Sequence, residues 1–199
     1  MEKQQLIFII GGARSGKSSF AESYAVELAK KEKRTLYYLA TSKKSDDEMV
    51  DRIKRHQEDR EQSEMHWETV ETPLQIGKNV ASFSPNSVVL LDCLTILLSN
   101  ELFHNGFYDE ISHKEAIQAE IMETIMEGIE ALVSQVKVLI VVSNEVVFDP
   151  VEKESALVQT YRKLLGKLHQ QIVKQSTEAY MVESATPLMM KGSNPCAES

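Results

Sequence analysis

The sequence has little cysteine and no long apolar run. Its 199 residues include two cysteines, Cys93 and Cys196, which cannot make a disulfide framework. Every apolar stretch is shorter than the roughly 20 residues that a membrane-spanning helix needs. From Met1-Glu2-Lys3 the chain passes directly into apolar residues, a pattern that predicts no signal or transit peptide. We therefore expect a cytoplasmic protein without a membrane span.

Positive charge is also scarce. Lysine and arginine number 22 against 30 aspartates and glutamates, and the net charge is −8. Basic residues form only short clusters such as 30–34, which argues against a nucleic-acid partner. No Asn-Lys-x-Asp element occurs, so the guanine-reading motif of switch GTPases is missing. A GTP-timed switch is thereby disfavoured, whereas GTP as a substrate is not.

Near its start the chain carries a complete phosphate-binding loop. The loop reads Gly11-Gly12-Ala13-Arg14-Ser15-Gly16-Lys17-Ser18. In this motif backbone N–H groups point at phosphate oxygens, the lysine reaches the terminal phosphates and the serine hydroxyl suits Mg²⁺. An apolar run at 6–10 precedes it, and alanines spaced by four residues follow it, as a strand and a helix require. The sequence therefore predicts a site for a nucleoside triphosphate, ATP or GTP.

Strand-like and helix-like segments alternate along the chain. Candidate strands lie at 6–10, 35–40, 88–91, 136–142 and 179–182, and candidate helices after residue 18 and at 45–61, 117–132 and 157–172. This alternation predicts an α/β fold whose mostly parallel sheet has helices on both faces. We expect a single nucleotide-binding catalytic domain over 1–191 and a frayed tail over 192–199.

An acid follows one of the buried strands. The run 88–91 is apolar and ends at Asp92, which is the form of a Walker B element. An acid in that place can hold Mg²⁺, or its water, beside the serine of the phosphate loop. Such a strand can also end in an acid merely because a turn follows. With the phosphate loop present, Ser18 and Asp92 are the candidate Mg²⁺ ligands.

The segment 51–60 concentrates charge around one histidine. On a helix, Arg52, His56 and Arg60 are spaced by four residues and share a face. An imidazole between two guanidinium groups would suit a phosphate chain, and a neutral imidazole can attack phosphorus to form a phosphoramidate. The spacing alone favours the plainer interpretation, a solvated charged helix with a surface histidine.

Four other residues admit more than one role. Trp67 is the single tryptophan, and we expect it to pack in the core or at a strand edge. Cys93 is expected to be a small core residue. Asn144 and Glu145 end an apolar strand, where parallel sheets place ligand groups, and a turn-forming role is equally compatible with their position.

Motifs throughout the chain, in order, resemble those of the bifunctional adenosylcobinamide kinase/adenosylcobinamide-phosphate guanylyltransferases of cobalamin biosynthesis. Besides the phosphate loop they are Ala40-Thr41-Ser42, Asp47-Glu48-Met49 with Arg52-Ile53 and His56, Trp67 with Thr69, Glu71 and Pro73, Leu91-Asp92-Cys93-Leu94-Thr95 with Ser99-Asn100, Ser143-Asn144-Glu145-Val146, and Pro187-Leu188-Met189-Met190-Lys191. The loop as written is characteristic of that family.

The resemblance implies two reactions in a RecA-like P-loop fold that assembles as a homotrimer. A nucleoside triphosphate phosphorylates adenosylcobinamide, and GTP then gives GMP to a histidine, from which it passes to the cobinamide phosphate. His56 matches that nucleophile, and Lys17 and Mg²⁺ serve the phosphates. The nucleotide-contacting positions that it implies are Gly11, Gly12, Ala13, Arg14, Ser15, Gly16, Lys17, Ser18, Ala40, Thr41, Ser42, Gln57, Glu58, Asp59, Arg60, Glu71 and Asp92.

The sequence departs from the family pattern in three places, so two alternative functions stay open. Glycines usual in the family are replaced at Asp59 and in Val147-Phe148-Asp149, and His169 stands where an asparagine is usual. Losing glycine restricts close backbone approach. One alternative is therefore a homologue that retains only the kinase reaction. The other is a P-loop protein that acts as a nucleotide-gated regulatory subunit.

Overall fold

Seven strands form one mixed sheet in the computed structural model, which describes residues 3–42, 60, 63–104, 114–145 and 155–192. The strands are β1 (Gln5–Gly11), β2 (Thr35–Ala40), β3 (Trp67–Glu71), β4 (Ser87–Asp92), β5 (Val138–Asn144), β6 (Glu178–Glu183) and β7 (Thr186–Lys191). Their order across the sheet is β3-β2-β4-β5-β1-β6-β7, and all neighbours are parallel except β6 and β7. The predicted mostly parallel α/β fold is confirmed.

Helices cover both faces of this sheet. They are α1 (Lys17–Glu32), α2 (Leu94–Phe103), α3 (Glu115–Gln135) and α4 (Ala156–Gln175), with a 3₁₀ helix at Ile76–Ser82. Alternate β1 residues point to opposite faces, as a strand requires. Ile7 and Ile9 pack in the cluster that contains α1, whereas Leu6 and Phe8 pack with α2, α3 and α4. Each face therefore has its own core.

The first helix lies on the sheet through small side chains. Ala21, Ala25 and Ala29 are spaced by four residues and are fully buried. After Glu32 the chain takes a left-handed conformation at Lys33, whose N–H caps the last turn. Strand β2 follows within three residues. In the sheet, β2 lies beside β4, and β4 and β5 separate it from β1.

The N-terminal strand is central because later strands flank it on both sides. Strand β1 pairs in parallel with β5 over its whole length and with β6 from Ile7 to Gly11. Parallel neighbours put the carboxyl ends of β1, β2, β4 and β5 at one edge of the sheet, where α/β proteins bind ligands. The predicted tail begins at Gly192, and 193–199 lie outside the described residues.

Candidate functional site

The phosphate loop leaves β1 at Gly11 and enters α1 at Lys17. Gly11 has no room for a side chain, because an added Cβ would lie 2.4 Å from the carbonyl oxygen of Val182. Gly16 has a φ of 88°, a conformation that favours glycine. The loop thus places the N-terminus of α1 at the sheet edge. A helix N-terminus of this kind attracts a phosphate group.

Two side chains of the loop are poised for an anion. Lys17 is only 5 % exposed, and its Nζ donates a hydrogen bond to the Gly12 carbonyl oxygen at 3.1 Å. The Ser15 hydroxyl is buried and has no hydrogen-bond partner among the residues that the structure describes. A buried polar atom in that condition is unfavourable until something bonds to it. The loop therefore fits a phosphate chain chemically as well as geometrically.

Two distant segments brace the loop from opposite sides. At the end of β5, the Glu145 N–H donates to the Gly11 carbonyl oxygen at 3.0 Å. In the two-residue turn between β6 and β7, the Ala185 N–H donates to the Ser15 carbonyl oxygen at 2.8 Å. Sequence reasoning missed Ala185, because its turn contains no glycine to mark it. The shape of the loop depends on both contacts.

Asp92 ends β4 and keeps one oxygen available. Its Oδ2 accepts a hydrogen bond from the Tyr38 hydroxyl at 2.9 Å. None of the residues that the structure describes donates to Oδ1. A hydroxyl such as that of Ser18 and a carboxylate oxygen are the hard oxygen ligands that Mg²⁺ takes. The pair fits a nucleotide-bound cation, which would take its other ligands from phosphate and water.

Tyr38 also contacts Arg60. The Arg60 guanidinium carbon lies 3.6 Å from the centre of the Tyr38 ring, and its Nη1 lies 3.5 Å from Glu22 Oε1 on α1. Burial, followed by the nearby Asp92 carboxylate, raises the pKa of Tyr38 well above its ordinary value. Tyr38 therefore stays protonated and acts as the donor to Asp92. A buried tyrosine hydroxyl requires a partner, and this requirement could have revealed Tyr38 from sequence.

Thr41 and Cys93 join the ends of β2 and β4. The Cys93 N–H donates to Thr41 Oγ1 at 2.8 Å, and the Thr41 hydroxyl lies 3.0 Å from the Cys93 carbonyl oxygen. The amide of Asn100 on α2 donates to the carbonyl oxygens of Thr41 and Pro73. The Thr41 hydroxyl is thus directed at the backbone. Cys93 is a buried core residue, as predicted.

Asn144 connects the end of β5 to α2. It stands opposite Gly11 in the β1–β5 register, and its Nδ2 donates to Thr95 Oγ1 at 3.0 Å. The hydroxyl of Tyr161 on α4 donates to the Thr95 carbonyl oxygen at 3.1 Å. Burial raises the pKa of Tyr161 to about 12, so this donor stays protonated. Asn144 therefore links β5 to α2 beside the phosphate loop, and the backbone N–H of Glu145 supports the loop itself.

A partly buried histidine, His169, contacts the same strand. His169 Nε2 is 2.8 Å from the Ser143 hydroxyl, and its ring packs at 5.3 Å from the ring of Phe8. Burial lowers the pKa of His169 to about 4, which leaves the ring neutral at pH 7. This residue supports the core between α4 and the sheet. In the sequence, His169 was notable only because it stands where the family usually has an asparagine.

The predicted site residues in the described part of the chain gather at one edge of the sheet. The phosphate loop follows β1, Ala40, Thr41 and Ser42 end or follow β2, and Asp92 ends β4. Glu71 ends β3 opposite Ala40 and is exposed. Trp67 is buried in β3, where its ring packs edge-on against Tyr38.

Some predicted site residues fall outside the described part of the chain. They are His56, Gln57, Glu58 and Asp59, together with the helix predicted at 45–61 except Arg60.

The described residues contain neither a ready-made metal cluster nor a helix suited to span a membrane. No group of three or more histidine, cysteine, aspartate or glutamate side chains there could hold a metal ion. Among the helices of that part, none is both long and apolar enough to span a bilayer. The exposed His66 and His104 make no such cluster.

Comparison with known proteins gives matches over nearly the whole chain. Residues 7–190 match the family model described as cobinamide kinase/cobinamide phosphate guanyltransferase. A bifunctional adenosylcobalamin biosynthesis protein CobU of Escherichia coli is 33 % identical over 94 % of this chain and 99 % of its own length. The protein of that name from Salmonella typhimurium is 30 % identical over the same shares, and CobP of Pseudomonas aeruginosa is 31 % identical over 92 % and 96 %.

Solved structures of more distant proteins also align. A KaiC-like protein of Pyrococcus horikoshii covers 96 % of this chain and 81 % of its own at 11 % identity, with a TM-score of 0.49. The flagellar accessory protein FlaH of Methanocaldococcus jannaschii covers 94 % and 78 % at 13 % identity, with a TM-score of 0.43.

Proposed function

Because this chain belongs to the cobinamide kinase/cobinamide phosphate guanyltransferase family, we propose that it catalyses both reactions for which the family is named. It phosphorylates adenosylcobinamide with ATP or GTP and then transfers GMP from GTP to give adenosylcobinamide-GDP. The observation that carries this proposal is the match over 7–190, which includes the intact phosphate loop and Asp92. The 33 % identity to a bifunctional relative along nearly its entire length supports it.

In the kinase reaction the chain positions phosphate and neutralises charge. The substrate hydroxyl attacks the γ-phosphorus, and the bond between that phosphorus and the β,γ-bridging oxygen breaks to release the nucleoside diphosphate. Lys17 and the N-terminus of α1 stabilise the charge that develops on the phosphate oxygens. Ser18 and Asp92 would hold Mg²⁺, which supplies further charge neutralisation. No covalent bond to the protein is needed in this step.

The second reaction needs a nucleophile at the α-phosphorus, and we assign this role to His56. Its neutral imidazole nitrogen attacks GTP, the N–P bond forms and pyrophosphate leaves. A phosphate oxygen of the cobinamide phosphate then attacks the same phosphorus, the N–P bond breaks and histidine is regenerated. Arg60, four residues further along the chain, is buried against β2 at the site edge. This proximity supports a nucleotide-binding role for the segment that Arg60 ends.

The setting and assembly are also proposals. We propose a cytoplasmic homotrimer that uses Mg²⁺ and has adenosylcobinamide and its phosphate as small-molecule substrates, without a nucleic-acid partner. The 1–191 region acts as a single catalytic domain. The relatives' names, which place them in adenosylcobalamin biosynthesis, support the substrate class.

Labelling with GTP carrying ³²P at the α-position tests this proposal. Wild type with Mg²⁺ should acquire acid-labile, base-stable label, and His56→Ala should acquire none while keeping most of its kinase activity. His66→Ala, which changes an exposed histidine, is the matched control and should label normally. Wild type that binds GTP and phosphorylates adenosylcobinamide but takes no label would be a kinase-only homologue. Binding without either transfer would indicate a regulatory subunit.

A further inference from the structure

Tyr38 lies where two parts of the site meet. It is 7 % exposed, in the middle strand of the β3-β2-β4 group, on the sheet face covered by α1. Its hydroxyl bonds to Asp92 Oδ2, and its ring supports the Arg60 guanidinium at 3.6 Å. The ring of Trp67 packs edge-on against it at 6.2 Å. One side chain thus contacts both the candidate cation ligand and a buried arginine.

The hydrogen bond restricts the Asp92 carboxylate without neutralising it. A carboxylate at the end of a strand can rotate, so its free oxygen has no fixed direction unless the other oxygen is held. A phenol holds Oδ2 as a neutral donor, whereas lysine or arginine in that place would compete with a cation for the negative charge. The bond therefore suits a carboxylate that must bind a divalent ion through its second oxygen.

The ring has a separate effect on Arg60. This arginine is 6 % exposed, so its charge requires partners, and the described residues supply the π face of Tyr38 and the carboxylate of Glu22. In the described part of the chain, Arg60 makes its ion pair with Glu22 and none with Asp92. The guanidinium therefore lies on the face of the same tyrosine whose hydroxyl bonds to Asp92.

We propose that Tyr38 is a positioning residue for the nucleotide-bound cation: its hydroxyl directs Asp92 Oδ1 at the ion, and its ring holds Arg60 away from that carboxylate. The inference rests on the proposed function in one respect, the assignment of Asp92 as a cation ligand. It extends that assignment to two residues outside the phosphate loop and joins the cation site to the segment that ends at Arg60.

Tyr38→Phe tests the hydroxyl, since it keeps the ring and its contacts with Arg60 and Trp67. Mn²⁺ binding to the complex with a non-hydrolysable GTP analogue can be followed by electron paramagnetic resonance. We expect Mn²⁺ affinity to fall about tenfold, the usual effect of losing a hydrogen bond to a charged group. Affinity for the analogue in EDTA should stay within about twofold. Tyr38→Leu, which also removes the ring, should weaken Mn²⁺ binding further.

Tyr37→Phe is the matched control, because Tyr37 is equally buried at 7 % exposure and packs on the opposite face against Phe83. It should leave Mn²⁺ affinity unchanged. In an Asp92→Asn background, Tyr38→Phe should have no further effect on Mn²⁺. In kinase assays, Tyr38→Phe should raise the Mg²⁺ concentration required for half-maximal rate while kcat at saturating Mg²⁺ changes little.

The outcomes separate this inference from the proposed function. A folded Tyr38→Phe protein with wild-type Mn²⁺ affinity would overturn the positioning role and leave the two reactions untouched. A lower kcat with an unchanged Mg²⁺ requirement would also overturn it, since only packing would then be affected. Failure of wild type to bind Mn²⁺ with the analogue would refute the Asp92 assignment itself, and the labelling experiment would still decide the function.

Discussion

Thr41 and Cys93 exchange two hydrogen bonds through one hydroxyl group, which fastens the carboxyl end of β2 to that of β4. Thr41 is fully buried, so water cannot replace either bond. Asp92 directly precedes Cys93, and Ser42 directly follows Thr41. The pair consequently fixes the separation of two strand ends that carry predicted site residues.

Thr41→Val should destabilise the protein by about 2–3 kcal/mol. Valine has nearly the shape of threonine but removes the hydroxyl that accepts from the Cys93 N–H in a dry environment. Thr41→Ser keeps the hydroxyl and should cost about 1 kcal/mol for the lost methyl group. Urea unfolding of the two variants measures the difference. If valine and serine cost the same, the exchange of hydrogen bonds contributes nothing.

Lys17→Ala should reduce both group transfers by about 100-fold or more, because the lysine stabilises charge on the phosphates in each. Its Nζ now bonds to a carbonyl oxygen of the loop, which holds the side chain over the place where phosphate would bind. Lys31→Ala changes an exposed lysine at the end of α1 and is the control. Separate assays of adenosylcobinamide phosphorylation and GMP transfer measure the effect. Normal kinase activity in Lys17→Ala would refute the role of the loop.

Ala185→Pro should weaken nucleotide binding and lower stability by about 3 kcal/mol. Proline has no N–H for the Ser15 carbonyl oxygen, and its φ near −65° conflicts with the φ of 61° found at Ala185. Ala185→Gly keeps the N–H and tolerates this φ, so it should bind nucleotide normally and be slightly more stable than wild type. Calorimetric titration with GTP and thermal unfolding compare the two. Equal nucleotide affinity in both variants would show that the turn does not support the loop.

Acidification should destabilise the protein through His169. Its pKa is about 4 in the folded state, below the ordinary value near 6.5, so the unfolded chain binds more protons between these values. The contribution of neutral His169 to the free energy of unfolding is complete above pH 6.5 and is lost as the pH falls towards 4. From pH 7 to 5 the loss should be about 1–2 kcal/mol after allowance for solvent screening.

Urea unfolding at several pH values measures this dependence. His169→Gln removes the titrating group and can still bond to the Ser143 hydroxyl, so its stability should change less with pH. His66→Gln alters an exposed histidine and should keep the wild-type dependence. An unchanged profile in His169→Gln would assign the pH dependence to other groups.

Local patterns were sufficient to predict the N-terminal part of the site. The phosphate loop is a contiguous motif, the run at 6–10 forms most of β1, and the alanines at spacing four mark the buried face of α1. The apolar run before Asp92 likewise forms β4. In each case neighbours in sequence are also neighbours in the structure, so short windows contain the information.

Other elements escaped prediction because their determinants lie elsewhere in the chain. Helix α2 is buried against the sheet and other helices, so it lacks the polar face that marks a helix in sequence. Strand β3 exposes most of its residues at the sheet edge. The β6–β7 turn has left-handed Ser184 and Ala185 in place of the asparagine or glycine that such turns favour. Arg60's partners, Tyr38 and Glu22, are far from it in sequence.

The position of β1 between β5 and β6 has a consequence for synthesis on the ribosome. Chains emerge from the N-terminus, so the phosphate loop leaves the exit tunnel long before its supports at Glu145 and Ala185. A nascent chain halted before residue 145 exposes the loop sequence without either brace. Nucleotide binding should therefore arise only after Ala185 has emerged, which protects shorter nascent chains from acting as nucleotide-binding fragments.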